Sequence, residues 1–202
     1  MEKTIISQEE LDRLVAEGIT KFNNCDFTNI HFGESHSAIT EITNSEFFTS
    51  YFTEFNGDNI IMRGNDLASI AIVKSSFKNA NFENSRLVWS GIEGSNLENA
   101  RFTDANLLNI TFEYTNLKGV VFEKAILRNT AFWNETDLAN LNLTNATFDT
   151  IKVRRIPASN APLKLDDITF TTIKNSKELE NYKKQLPSYR RTGKKRNSGE
   201  AR

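Results

Sequence analysis

Cys25, His31 and His36 are the residues whose types best suit them to hold a metal or attack an electrophile, and they lie close together in the sequence. One thiol and two imidazoles are one ligand short of a closed structural zinc site. The chain has one Cys and two His in all, so no disulfide framework exists and nothing of the same kind completes the set. The pair of histidines reads as solvated. No phosphate-cradling glycine loop followed by Lys-Ser/Thr occurs, and no G-x-S-x-G, H-E-x-x-H or acidic calcium loop. The expectation is a protein with no catalytic residues, no metal and no cofactor, and not an enzyme.

Charge narrows the reading further. Lys+Arg number 25 and Asp+Glu 26, for a net charge of −1. Residues 176–202 hold nine Lys/Arg and three Asp/Glu, net +6, which leaves 16 and 23 for residues 1–175, net −7. A mildly acidic body thus carries a basic tail. The opening MEKTIISQEELDRL has no apolar signal segment, and no apolar run approaches bilayer length, so a cytoplasmic location is the expectation.

The elements that would position any functional residue follow from a period of five. Starting at Phe22, every fifth residue to Phe132 is large and apolar except Ser37 and Gly57; after one inserted residue near Trp133-Asn134 the series resumes at Leu138, Leu143, Phe148 and Val153. Twelve of the 15 phenylalanines occupy this position. The residue two before each centre is often small, as at Cys25, Ser45, Ser75, Ser85, Ser90, Ala100 and Ala125, and between them stands a frequent Asn or Asp, as at Asp26, Asp66, Asn81, Asn96 and Asn106. A helix would spread these centres round its axis, and a straight strand would alternate them between faces. A chain that turns a corner every five residues points them all to one axis, and Asn, Asp, Ser and Gly favour such corners. The result is a solenoid of stacked coils. Cys25, at a small inward position, reads as a buried, inert thiol.

Ala80-Asn81-Phe82-Glu83-Asn84, Ser95-Asn96-Leu97-Glu98-Asn99, Ala105-Asn106-Leu107 and Thr136-Asp137-Leu138 resemble the A(D/N)LxX unit of pentapeptide-repeat proteins, over roughly residues 20–153. The resemblance implies an all-β solenoid, the family's right-handed quadrilateral parallel β-helix, with four units per coil and nearly seven coils. Residues 20 apart should then stack: Phe82, Phe102 and Phe122 on one side, Leu67, Leu87, Leu107 and Leu127 on the next. The consensus fails around 33–39 and 53–61, which leaves either bulged loops or poorly shaped corners, with at least one protruding loop expected, and the extra residue near Trp133 should make a local bulge.

The ends need covers, because a β-column leaves backbone groups unpaired at both mouths. Residues 1–19 read as an N-terminal cap with a helix over 7–17: Ser7 and Glu10 form a capping box, Ile6 and Leu11 a hydrophobic staple, and Gly18 ends it. The repeats fill 20–155. Residues 156–187 read as a C-terminal cap with a helix over 176–186, whose Leu179, Tyr182 and Leu186 share one side. That stripe either covers the last coil or meets its equivalent in a second chain, giving a monomer or a homodimer. Residues 188–202 read as a disordered basic tail. Its Arg190, Arg191, Lys194, Lys195 and Arg196 suit a solvated end, a weak electrostatic contact with nucleic acid or anionic membrane, or a partner-specific segment.

Outward residues carry the functional expectation. Glu93 and Glu113 should stand one above the other, with Tyr114 and Trp133 on the same side and Trp89 at its corner. Exposed aromatics so placed either form a protein-binding patch or pack individually against a corner or a terminal segment. The leading reading is a rigid surface for a protein partner, carried by Trp89, Glu93, Glu113, Tyr114 and Trp133. The resemblance supplies an alternative, since some pentapeptide-repeat proteins, including quinolone-resistance types, act on DNA gyrase and topoisomerase IV as acidic rods resembling duplex DNA. A net −7 is thin for that, because duplex DNA carries a charge every ~1.7 Å.

Overall fold

The computed structural model describes residues 2–134, 136–138 and 140–147, and the main chain of 151–154. The expected C-terminal cap and tail, with Leu179, Tyr182, Leu186, Arg190, Arg191, Lys194, Lys195 and Arg196, lie outside the described residues.

The chain opens with strand β1 (Thr4–Ile5) and helix α1 (Gln8–Ala16). Short strands follow: β2 (Lys21–Asn23), β3 (Cys25–Asp26), β4 (His31–Phe32), β5 (Glu41–Thr43), β6 (Tyr51–Thr53), β7 (Ala71–Val73), β8 (Gly91–Glu93), β9 (Thr111–Glu113), β10 (Thr130–Trp133) and β11 (Ile151–Arg154). All pair in parallel, and the longest sheet runs β4-β6-β7-β8-β9-β10-β11. Single bridges continue the same 20-residue register on the other faces, as in Asp26–Glu46–Asp66–Arg86–Asn106–Ile126 and Asn56–Ser76–Asn96–Asn116. The protein is a parallel β-solenoid of about six turns, the seven-stranded sheet spanning about 29 Å at the usual strand spacing.

Three features of each five-residue unit make it turn. The residue two after the centre adopts positive φ, at Asn24, Asn29, Asn44, Asn79, Asn84, Asn99, Asn109, Asn129 and others between 35° and 63°. Asn tolerates this region better than other side-chain-bearing residues. The Asn or Asp before the centre accepts from the N–H two residues on, as Asp26 does from Thr28, Asn81 from Glu83, Asn96 from Glu98 and Asn116 from Lys118, at 2.9–3.0 Å. These Asx turns fix each corner. The small residue inside the corner, when Ser, ties two coils together: Ser90 Oγ accepts from Ile70 N–H at 3.3 Å and donates to Leu67 C=O at 2.8 Å. The hydroxyl satisfies backbone groups that no strand partner reaches.

The large centre side chains from Phe22 to Leu143 are buried. Phe82 and Phe102 stack at 4.9 Å with planes 4° apart, Phe102 and Phe122 at 5.4 Å, and Phe112 and Phe132 at 5.5 Å. Leu67, Leu87, Leu107 and Leu127 are fully buried. After Trp133 the spacing lengthens: Lys74 N–H bonds Glu93 C=O and Gly94 N–H bonds Glu113 C=O, each 19 residues on, whereas Tyr114 N–H bonds Asn134 C=O, 20 on, and Asn116 bridges Asp137, 21 on. The bulge lies where the period slips.

Neither irregular segment protrudes. In 53–61 the volumes are exchanged: Phe55 fills the small position and Gly57 the centre, and a Cβ on Gly57 would sit 2.6 Å from the Phe55 ring and 2.8 Å from that of Phe77. In 33–39 a 3-10 turn, Glu34–His36, replaces the usual corner. His36 turns inward onto Phe32 at 6.0 Å, and Ser37 Oγ accepts from Asn56 N–H. The register across both is kept, with His31 opposite Tyr51 and Asn56 opposite Ser76.

Ser7 caps α1 by accepting from Glu10 N–H, Ile6 and Leu11 are both buried, and Gly18 ends the helix at φ +87°. The Glu10 carboxylate turns to Arg13 instead of completing a capping box.

Phe102→Asp should cost about 4 kcal/mol or more, by leaving an unpaired charge in the column. Ser90→Ala should cost about 1–3 kcal/mol through an unsatisfied N–H, and the exposed Glu93→Lys less than about 0.5 kcal/mol. Urea unfolding checks the order; equal losses for Phe102→Asp and Glu93→Lys would place the inward register elsewhere.

Candidate functional site

Three strands of one face carry three of the five predicted contact residues. Glu93 ends β8 and Glu113 ends β9, directly opposite in the ladder, and Trp133 of β10 stands opposite Glu113. Glu93 is exposed, Glu113 and Trp133 are half-buried, and the Asn134 side-chain amide donates to the Glu113 carboxylate. Tyr114, the corner residue after β9, is 52% exposed at φ +49°. Trp89 stands at the corner before β8, 68% exposed at φ +60°. These two aromatics therefore flank the same sheet from opposite ends of its strands, one coil apart.

Trp89 also borders the adjoining face, where it lines a groove of about 200 Å³ with Phe48, Ala68 and Val88. Phe48 was not singled out by the sequence, because it lies outside the five-residue series, immediately after the buried centre Phe47; it is 56% exposed. An exposed phenylalanine out of register with a buried series is the signal that could have found it. Arg86, on the groove's rim, bonds both carboxylate oxygens of Asp66 at 2.8 and 2.9 Å.

Charges on the faces are matched between coils. Lys21 pairs with Glu41, Lys78 with Glu98, Arg86 with Asp66 and Arg101 with Glu83, at 2.8–3.3 Å. The Arg101 hydrogen bond holds the Glu83 carboxyl below its usual range. Each such exposed pair adds little stability, but together they cancel the field of a face.

The histidines are not solvated as a pair. His36 is 5% exposed, its Nδ1 accepts from Gly33 N–H at 3.0 Å, and its Nε2 lies 2.8 Å from Asp12 Oδ1 on α1. Hydrogen bonds from Gln8, and then the His36 ring, lower the Asp12 carboxyl. Gln8 bonds both the N–H and C=O of His31, whose ring stacks on Tyr51 at 4.5 Å. The sequence could not show that α1 reaches back to this turn. Cys25 is buried, and burial pushes its thiol up, away from the reactive thiolate. Among the described residues no group of three or more His, Cys, Asp or Glu could hold a metal, and no helix is long and apolar enough to cross a membrane.

The pentapeptide-repeat family model matches residues 92–129 as eight copies. Residues 92–129 thus carry pentapeptide repeats. Solved structures similar to this chain include Rfr23, a pentapeptide repeat protein from the cyanobacterium Cyanothece 51142, at 19% identity over 72% of this chain and 93% of that one, TM-score 0.43. Full-length QnrB1, a plasmid-mediated fluoroquinolone resistance protein, matches at 16% identity over 72% and 97%, TM-score 0.33. HetL, involved in heterocyst differentiation regulation in the cyanobacterium Nostoc sp. strain PCC 7120, matches at 13% over 71% and 93%, TM-score 0.21. No curated protein matches the chain.

Within the repeats, Trp89 breaks the corner preference shown by Asn29, Asn109 and Asn129 in the same register. Trp89→Asn should raise stability by about 1 kcal/mol, by relieving left-handed strain in a large side chain. Chemical denaturation of the full chain checks this; a loss of similar size would show that the indole packs productively on the corner.

Proposed function

We propose that this chain is a non-enzymatic pentapeptide-repeat binding protein whose rigid column presents Trp89, Tyr114 and the carboxylates of Glu93 and Glu113 to a protein partner. The observation that carries the reading is the pair of large, exposed aromatics held at positive φ. Neither burial nor corner geometry calls for Trp or Tyr there, so contact with something outside the fold is the best explanation of their presence. Tyr and Trp give large contact area with few rotatable bonds, and a solenoid holds them at fixed separation.

The second reading, an acidic rod occupying the DNA site of gyrase or topoisomerase IV, draws on one observation, the stacked Glu93 and Glu113. Inter-coil pairing of Lys21, Lys78, Arg86 and Arg101 with acidic neighbours counts against it, because a DNA-like field needs unpaired charge along the column. The protein-partner reading is therefore preferred.

Crosslinking capture from the native host checks it. Full-length protein should retain a stoichiometric protein that the Trp89→Asn/Tyr114→Asn variant loses, without any fall in melting temperature. Equal capture by both would overturn the aromatic site. In a gyrase supercoiling assay the protein should have no stoichiometric effect; inhibition or protection abolished by Glu93→Lys/Glu113→Lys would establish the second reading instead.

A further inference from the structure

We propose that Asn56-Gly57 is a deamidation site which the folded column holds shut and which, once it reacts in an opened chain, bars that chain from refolding. The inference stands apart from the partner-binding reading. Asn56-Gly57 is the one Asn-Gly step in the sequence, and the fold itself calls for both residues. Phe55 fills the small inward position, so only glycine fits at the next centre, where a Cβ would sit 2.6 Å from the Phe55 ring. Asn56 is exposed at the place before the centre, and its Oδ1 accepts from Asp58 N–H at 3.1 Å. The pair sets an amide side chain beside a backbone nitrogen that no Cβ shields.

The chemistry needs water alone. The Gly57 nitrogen attacks the Asn56 side-chain carbonyl carbon, its proton passes to the departing amide nitrogen, and ammonia leaves behind a five-membered succinimide. Water then opens the ring at either carbonyl. Cleavage of the newly formed bond restores the main chain with aspartate at 56. Cleavage of the original peptide bond leaves isoaspartate, whose main chain runs through the former side chain and is one carbon longer.

In the folded protein each reacting group is already engaged. Gly57 N–H donates to Ser76 C=O at 2.7 Å, Asn56 N–H donates to Ser37 Oγ at 3.0 Å, and Gly57 C=O accepts from Ile60 N–H at 3.1 Å. The attacking nitrogen therefore becomes available only when this rung opens. The two products then differ in what the fold can do with them. Ser76, Asn96, Asn116 and Asp137 hold the same place on later coils, so aspartate at 56 is a residue that the column already accepts. Isoaspartate lengthens the main chain next to a centre with no spare room between Phe55 and Phe77. After Trp133 the column absorbs a whole extra residue by moving the bridges to 21. A single added carbon is less than a residue and matches no register.

Incubation of the full chain at mildly alkaline pH, folded and in guanidinium chloride, tests this by peptide mass spectrometry. The deamidation mass gain at Asn56 should accumulate about ten-fold or more slowly in the folded protein. After removal of denaturant, the refolding yield read by circular dichroism should fall in proportion to the isoaspartate at 56, whereas Asn56→Asp should refold as fully as the unreacted chain. Asn56→Ser, incubated in the same way, should keep its yield. Equal rates in the folded and unfolded chain, isoaspartate at 56 recovered in refolded protein, or an equal loss of yield in Asn56→Ser would overturn the proposal.

Discussion

Each coil of this protein is held to the next by backbone hydrogen bonds in a register of 20 residues up to Trp133, and that constraint governs everything else in the structure. The register runs through Phe77 N–H to Asn96 C=O, Asn96 N–H to Ser75 C=O, and so on up the column. A chain can keep it only by turning a corner in every unit, which forces one residue in five toward positive φ. The Asx turns at Asp26, Asn81 and Asn96 stabilise that geometry locally, and the hydroxyls of Ser85 and Ser90 carry bonds across the inside of corners where strands do not pair. Hydrophobic burial of Phe and Leu centres then supplies the larger share of the driving force.

The same constraint makes the interior tolerant in one way and strict in another. A single residue cannot be added without shifting every later rung, and the slip after Trp133 shows it, since the bridges beyond it all run at 21. Volume within one coil is negotiable. Phe55 with Gly57, and His36 with Ser37, redistribute bulk between neighbouring positions while the coils above and below keep their register. Close packing has to hold for each layer as a whole, and not for each consensus position.

That difference explains what was legible in the sequence. The period, the inward face and the stacking of Phe82, Phe102 and Phe122 could be read because they depend on residue type at fixed spacing. A protruding loop is expected in at least one of 33–39 and 53–61 when loss of consensus is equated with loss of the coil, whereas Phe55 has only changed places with a glycine. His36 was read as solvated because its burial depends on α1, whose Gln8 and Asp12 side chains reach the first coils from outside the repeat. Of the surface, Trp89, Glu93, Glu113, Tyr114 and Trp133 could be placed by register alone. Phe48 could not, because it becomes significant only once Val88 and Trp89 are known to stand beside it across two coils.

A solenoid also separates the residues that make the fold from those free to do something else. Centres, small inward positions, Asx residues and left-handed corners are dictated by the coil; the remaining side chains face outward and are dictated by nothing in it. A corner occupied by Asn is therefore silent about function, because the corner alone accounts for it. Trp89 and Tyr114 are informative for the opposite reason, as each occupies a position where the fold prefers a small polar residue and each leaves half or more of its surface in water. Phe48 sits at an unconstrained outward position and adds no such argument by itself, although it shares a groove with Trp89.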